Sequence, residues 1–174
     1  SGNPAAAAQL HPTARHTPPG HHEAVVEGAT VLSELGRVEE ALAPVTDARS
    51  ARPKDPVYLM VHAKLLAESD LQSAITLLDA SGPSIEAAPE VQALAAAYLQ
   101  KNGQHDAAIE RYEAILRRYP SRPEIWLGLG ISLEARGRTV EAVDVYRIAM
   151  QLGELPGRSR GWISARIDAL SEES

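Results

Sequence analysis

The sequence predicts an all-α fold, a right-handed solenoid of about four helical hairpins followed by a C-terminal capping helix. Three observations predict it. Hydrophobic residues make up 44% of the 174 residues while aromatics are only 4%, with no Phe at all. The core therefore has to be built from closely packed Ala and Leu, which favours helices over a β-sandwich. Apolar residues fall at helical spacing within each segment. The same pattern restarts at residues 22, 56, 89 and 123, in steps of 34, 33 and 34, and such a period marks a repeat architecture.

The N-terminal stretch, residues 1–21, stands apart from the repeats. Ser1-Gly2-Asn3, without an initiator Met, reads as the remnant of a cleaved tag. Pro4 to His21 is rich in Ala, Pro, His and Thr with a single Leu and no apolar period, so it is expected to be a flexible linker. A linker placed there implies further chain upstream, either another domain or a membrane anchor.

The clearest repeat spans residues 123–155. Its first helix carries Trp126, Leu129, Gly130 and Leu133 and ends at Gly137, where a helix C-cap wants positive φ. Its second carries Ala142, Tyr146 and Ala149. Gly130 and Ala142 are small where two antiparallel helices cross closest, and Trp126, Leu129, Tyr146 and Met150 are expected to fill the space around the crossing. Residues 89–122 repeat the pattern with Ala95, Ala96, Leu99, Gly103, Ala108 and Tyr112. Residues 56–88 are the degenerate unit, with Leu59, Ala63, Leu66, Ala74 and Leu78 but no Gly between the helices and one residue fewer in that turn. Its end, Ala80 to Ala88, holds the breakers Gly82 and Pro83 and is the expected hinge of the stack. Residues 22–55 begin the series with Val25, Leu32, Gly36, Ala41, Val45 and Ala48. Residues 156–174 close it, with Ile163, Ile167 and Leu170 on one stripe of a capping helix and Trp162 beside them.

The series Trp126, Leu129-Gly130, Gly137, Ala142, Tyr146, Ala149 matches the signature of the tetratricopeptide repeat (TPR), and residues 89–122 match it nearly as well. The chain thus resembles the TPR family, whose members hold other polypeptides and are not enzymes. That resemblance implies that the first helix of each hairpin lines a concave face. Projected from the register, the partner-facing residues are Val26, Thr30, Met60, Lys64, Ala93, Ala97, Gln100, Leu127, Ile131 and Glu134. The surface is mostly apolar, and only Lys64 stands where clamp-type TPRs place several cations to grip an acidic C-terminus. An amphipathic helix or an extended segment with aliphatic anchors is the expected ligand.

A narrower resemblance lies in the last 50 residues, in Ile125-Trp-Leu-Gly-Leu-Gly-Ile-Ser-Leu-Glu134, Tyr146-Arg147 and Gly153-Glu-Leu155, then Arg166 and Leu170. They are similar to the C-terminal TPR region of the MshN family, which serves biogenesis of the mannose-sensitive haemagglutinin type IV pilus. That family carries an N-terminal membrane anchor, a low-complexity linker and a periplasmic TPR domain. The resemblance implies a periplasmic module in pilus or secretion-system assembly, tied to the membrane only through a missing N-terminal segment. The alternatives are a secretion chaperone and an oligomerisation or spacer domain, the latter as a homodimer burying Leu127 and Ile131.

The remaining composition argues against other chemistries. A net charge of −6 gives no electrostatic footprint for nucleic acid or an anionic membrane surface. With no Cys, disulfides, thiolate zinc sites and a cysteine nucleophile drop out. Arg far outnumbers Lys and Ala is abundant, a composition associated with GC-rich bacterial genes. Gly128-Leu129-Gly130 resembles half a dinucleotide loop but sits inside a helix with no strand before it. His11, His16, His21 and His22 have no second shell around them, and no HExxH spacing occurs. His62, inside a helix, and His105, in an inter-helix turn, are single residues with structural roles, and Glu39-Glu40 belongs to a solvent face. Neither a catalytic set, a metal site nor a cofactor is expected.

Overall fold

The structure is a computed structural model in which residues 21–153 and 155–172 are described; the linker expected over residues 1–21 lies almost wholly outside them. The described residues form nine helices and no strand. Hairpin one pairs α1 (His21–Glu34) with α2 (Val38–Ala51), and hairpin two pairs α3 (Pro56–Ser69) with α4 (Leu71–Ser81). Hairpin three pairs α5 (Pro89–Lys101) with α6 (His105–Arg118), and hairpin four pairs α7 (Pro123–Ala135) with α8 (Thr139–Leu152). A single helix, α9 (Gly157–Glu172), packs on α8 and closes the stack. This is the all-α TPR solenoid that the repeats predict.

Backbone chemistry local to each boundary sets the period. Pro56, Pro89 and Pro123 each begin a helix, where the missing N–H costs nothing and the fixed φ is already helical. Gly36, Gly103 and Gly137 end the first helices of hairpins one, three and four with φ of 70°, 76° and 71°. All three build one and the same turn: Arg37 N–H donates to Leu32 O at 2.8 Å, Gln104 N–H to Leu99 O at 2.9 Å and Arg138 N–H to Leu133 O at 3.0 Å. These are Schellman caps, which satisfy carbonyls the helix end would otherwise leave open. Hairpin two has no glycine there because Asp70 alone ends α3 and begins α4. Its backbone N–H donates to Leu66 O, while its carboxylate accepts from the N–H groups of Gln72 and Ser73. One residue does what three do elsewhere, which shortens that repeat.

The connection from Ala80 to Ala88 is tied down at several points. A Cβ on Gly82 would lie 2.4 Å from the carbonyl oxygen of Leu78, so only glycine lets the chain turn off α4 so tightly. Gln92 reaches back from α5 to donate to Pro83 O at 2.6 Å, and Ile85 packs against the core.

The core runs along the stack as a chain of small and aliphatic contacts. Ala41 and Val45 of hairpin one bury against Leu65 of α3, and Val91 and Ala95 of α5 close over Leu59, Ala63, Ala74 and Leu78. Ile115, Ala142, Tyr146 and Ile163 carry the series to the C-terminal end. Two glycines admit the tyrosines: a Cβ on Gly128 would sit 2.5 Å from Cζ of Tyr112, and one on Gly130 would sit 2.3 Å from Cε1 of Tyr146. Trp126 packs against the core around the helix crossing, as expected, but from its edge. It is only partly buried, and its indole N–H donates to Pro120 O at 2.7 Å, which anchors α7 to the loop before it. His105 belongs to the first turn of α6 and not to the loop.

Candidate functional site

The first helices lie side by side, α1 against α3, α3 against α5 and α5 against α7, and together make one face of the solenoid. All ten residues projected onto that face belong to these helices, and the structure sorts them into three kinds. Val26, Thr30 and Lys64 line a cavity of about 220 Å³ between α1 and α3, with Ser33 and Glu68. Within it the Thr30 hydroxyl donates to Val26 O at 2.9 Å, and the Ser33 hydroxyl donates to the Glu68 carboxylate across the gap. Lys64 is exposed.

Met60, Ala93, Ala97, Leu127 and Ile131 are half-buried. Met60 packs on the core of hairpin two, and Ala93, Leu127 and Ile131 pack on that of the last two hairpins, each keeping part of its surface open. Gln100 and Glu134 have structural employment. The Gln100 amide donates to Gly128 O and to the hydroxyl of Ser132, both at 2.7 Å, so it straps α5 to α7. Glu134 accepts from Arg166 of α9 at 2.8 and 2.5 Å and from the Tyr146 hydroxyl at 3.1 Å, which locks the capping helix onto hairpin four. The face thus mixes Thr30, Ser33, Lys64 and Glu68 with Val26, Ala29, Val61 and Leu65 between α1 and α3, and is mainly aliphatic at Ala93, Ala97, Leu127 and Ile131 of α5 and α7.

These straps follow a spacing that the sequence does display. Arg49 and Ser81, Asp79 and Arg111, Glu90 and Arg122, Gln100 and Ser132, and Glu134 and Arg166 are all 32 residues apart and all bonded. Two residues short of the repeat length, this offset joins one hairpin to the next. A search for complementary polar pairs at that offset would have found them.

A second concavity lies among α6, α7 and α8. It has a volume of about 500 Å³ and is walled by Leu116, Pro120, Trp126, Leu129, Leu133 and Val145, with Glu113, Arg117 and Glu141. Its signal was present in Trp126, whose ring the repeat signature alone assigns to the core.

Titration follows burial. Removal from water pushes the Tyr112 hydroxyl up to about 12 and raises Tyr146 further, with the Glu134 carboxylate adding to the shift. Burial, together with the charge of Arg49, pushes His62 down. Neither of the two cavities described above is walled by Tyr112, Tyr146 or His62. Among the described residues no three of His, Asp and Glu converge as a metal-binding group, and no helix is long and apolar enough to cross a membrane.

A family profile and solved structures point to the same fold as the geometry. Residues 93–155 match the profile of the tetratricopeptide-repeat family. Solved structures show the same fold at low identity. MamA (residues 41 to the end) from Desulfovibrio magneticus RS-1 is 19% identical with a TM-score of 0.65, over 90% of this chain and 92% of that one. TTC0263, a thermophilic TPR protein of Thermus thermophilus, is 19% identical with a TM-score of 0.67, over 83% and 80%. The pilF protein of Pseudomonas aeruginosa is 15% identical with a TM-score of 0.70, over 89% and 71%. No curated protein sequence matches this chain. The protein is an all-α TPR solenoid.

Proposed function

We propose that this protein is a binding module that seats a helix or peptide of another protein along the face of α1, α3, α5 and α7, and that it catalyses no reaction. The observation that carries this reading is the division of the face. Aliphatic side chains at Ala93, Ala97, Leu127 and Ile131 keep open surface, and the cavity between α1 and α3 adds Thr30, Ser33, Lys64 and Glu68 to an apolar lining of Val26, Ala29, Val61 and Leu65. A ligand with aliphatic anchors at one end and a hydrogen-bonding or acidic group at the other matches both parts. The resemblance of the last 50 residues to the MshN family favours a bacterial assembly, in pilus or secretion-system biogenesis, with the module in the periplasm. A secretion chaperone or a spacer domain is the competing role.

The test is a cross-linking pull-down of partners from a bacterial envelope extract, with the protein compared with its Ala97→Glu and Lys64→Glu variants. Leu127 and Ile131 pack on the core, so a Glu there is destabilising as well; Lys64 is exposed, and helicity checks that the half-buried Ala97 tolerates its Glu. Loss of one defined partner in both variants, with unchanged helicity, supports the reading. Capture that survives both substitutions overturns it.

A further inference from the structure

The large apolar side chains that the described residues expose are confined to the two ends of the stack. Val31 and Leu35 of α1 are 53% and 63% exposed, Val140 of α8 is 68% exposed and Trp162 of α9 is 46% exposed. Nothing comparable is exposed along the body of the solenoid among these residues.

The N-terminal patch is an unfilled copy of the seam between repeats. Ala24 and Val31 occupy the second and ninth steps after the repeat start at residue 22. At the second step the later hairpins have Tyr58, Val91 and Ile125, and at the ninth Leu65, Tyr98 and Ser132. All but the half-buried Tyr98 are at most 3% exposed, because those positions pack onto the preceding hairpin. Leu35 is more telling still, since its counterparts Ser69, Asn102 and Arg136 are polar, so repeat packing does not call for an aliphatic residue there. Between them, a Cβ on Gly28 would meet nothing within 4 Å. Glu23, Glu27 and Glu34, all exposed, flank this stripe at helical spacing.

At the C-terminal end basic residues adjoin Trp162, whereas Val140 adjoins the Asp144–Arg147 ion pair. Arg158 and Trp162 are one turn apart on α9, with Arg160, Gly161 and Ala165 adjoining, all exposed. One edge of Trp162 is held against Tyr146, with ring centroids 5.7 Å apart, which leaves the rest of the indole facing outward on a fixed support. Val140 adjoins the far end of α9 across a cavity of about 220 Å³.

We propose that these two ends are the halves of one contact between copies of this chain, the α1 face of one molecule seating on the α8–α9 end of the next. Two α1 faces would oppose Glu23, Glu27 and Glu34 to themselves, whereas the head-to-tail arrangement sets them against Arg158 and Arg160. Such a contact is heterologous and continues the stack instead of closing it. It uses a surface separate from the partner face described above, so either can fail without the other.

Sedimentation velocity over a concentration series tests it. The unsubstituted protein is expected to gain mass with concentration and to lose it as salt is raised, because the charges across the contact are exposed. Leu35→Glu blocks the head, and Trp162→Glu blocks the tail. Either variant alone should stay monomeric, with association weakened at least about tenfold, while an equimolar mixture should form a one-to-one dimer through the remaining head and tail. If Trp162→Glu loses helicity, Val140→Glu serves as the tail block. A protein monomeric at every concentration, blocked variants that still self-associate, or a mixture that stays monomeric each overturns the proposal.

Discussion

Gly130 lies directly beneath the ring of Tyr146, close enough that a Cβ on the glycine would stand 2.3 Å from Cε1. The ring has nowhere to go. It is fully buried, its hydroxyl is bonded to Glu134, and Trp162 meets it edge-on. Helix propensity alone would make Gly130→Ala stabilising by nearly 1 kcal/mol. We expect the reverse, a net loss of about 1–3 kcal/mol from overpacking. Gly28→Ala, in α1 with open space around its missing Cβ, is the control and should gain about 0.5–1 kcal/mol. Chemical denaturation of both variants checks the sign, and equal effects would show that the tyrosine moves aside.

Asp70 carries a helix end and a helix start on one residue. Asp70→Ala should lower the melting temperature, since the N–H groups of Gln72 and Ser73 lose the acceptor that caps the N-terminus of α4. Asp70→Asn should retain most of the stability because its carbonyl oxygen can accept the same bonds. The hydrogen bonds from the Ser73 hydroxyl and backbone, and from Gln72, hold the carboxyl below its ordinary value. A folded-state value below the unfolded one gives stability that is present above about pH 3.9 and is lost as pH falls through the lower folded value. The asparagine variant should therefore show a shallower acid limb, which thermal melts between neutral and acid pH would reveal.

Removing the strap between α5 and α7 tests how polar groups hold repeats together. Ser132 is fully buried, and its hydroxyl and the carbonyl of Gly128 share the Gln100 amide. Gln100→Leu leaves both without that donor and should cost about 1–3 kcal/mol. Ser132→Ala in the same background should recover part of the loss, because an apolar pair no longer strands the hydroxyl. A double-mutant cycle measures the coupling, and strict additivity would mean that the two residues do not interact in solution.

The repeats were legible because their punctuation is written in residues with restricted backbones. Pro56, Pro89 and Pro123 open helices and Gly36, Gly103 and Gly137 close them, so four hairpins can be counted from local chemistry. Pro44 shows the limit of that logic. It lies inside α2, where burial of Ala41, Val45 and Ala48 on one face outweighs the hydrogen bond it forfeits. The groove was less legible than the fold. Register places a residue on a face but does not say whether a polar side chain there is free, and Gln100 and Glu134 turn sideways to partners 32 residues on. Trp126 was legible only in part: it packs on the core as a signature residue should, but nothing in the pattern announces that its N–H bonds to Pro120 or that its ring walls an open cavity.

The buried tyrosines set the alkaline limit of the fold. Tyr112 packs against Gly128 of the following repeat, and burial pushes its hydroxyl from about 10 up to about 12. Tyr146 is raised as well, by burial first and then by the charge of Glu134. In the unfolded chain both would ionise near pH 10. A folded value above the unfolded one means that the stabilisation is fully present below pH 10 and is lost as pH rises through about 12. Tyrosinate absorbance followed together with helical circular dichroism should therefore show Tyr112 and Tyr146 ionising last, in step with loss of helicity, with Tyr98, which burial also raises, late as well. Tyr112→Phe should keep the packing and remove one source of this dependence, so its alkaline transition should shift to higher pH. Tyrosines that all ionise near pH 10 with the helices intact would show that these two rings are open to solvent, contrary to the packing of Gly128 and Gly130 against them.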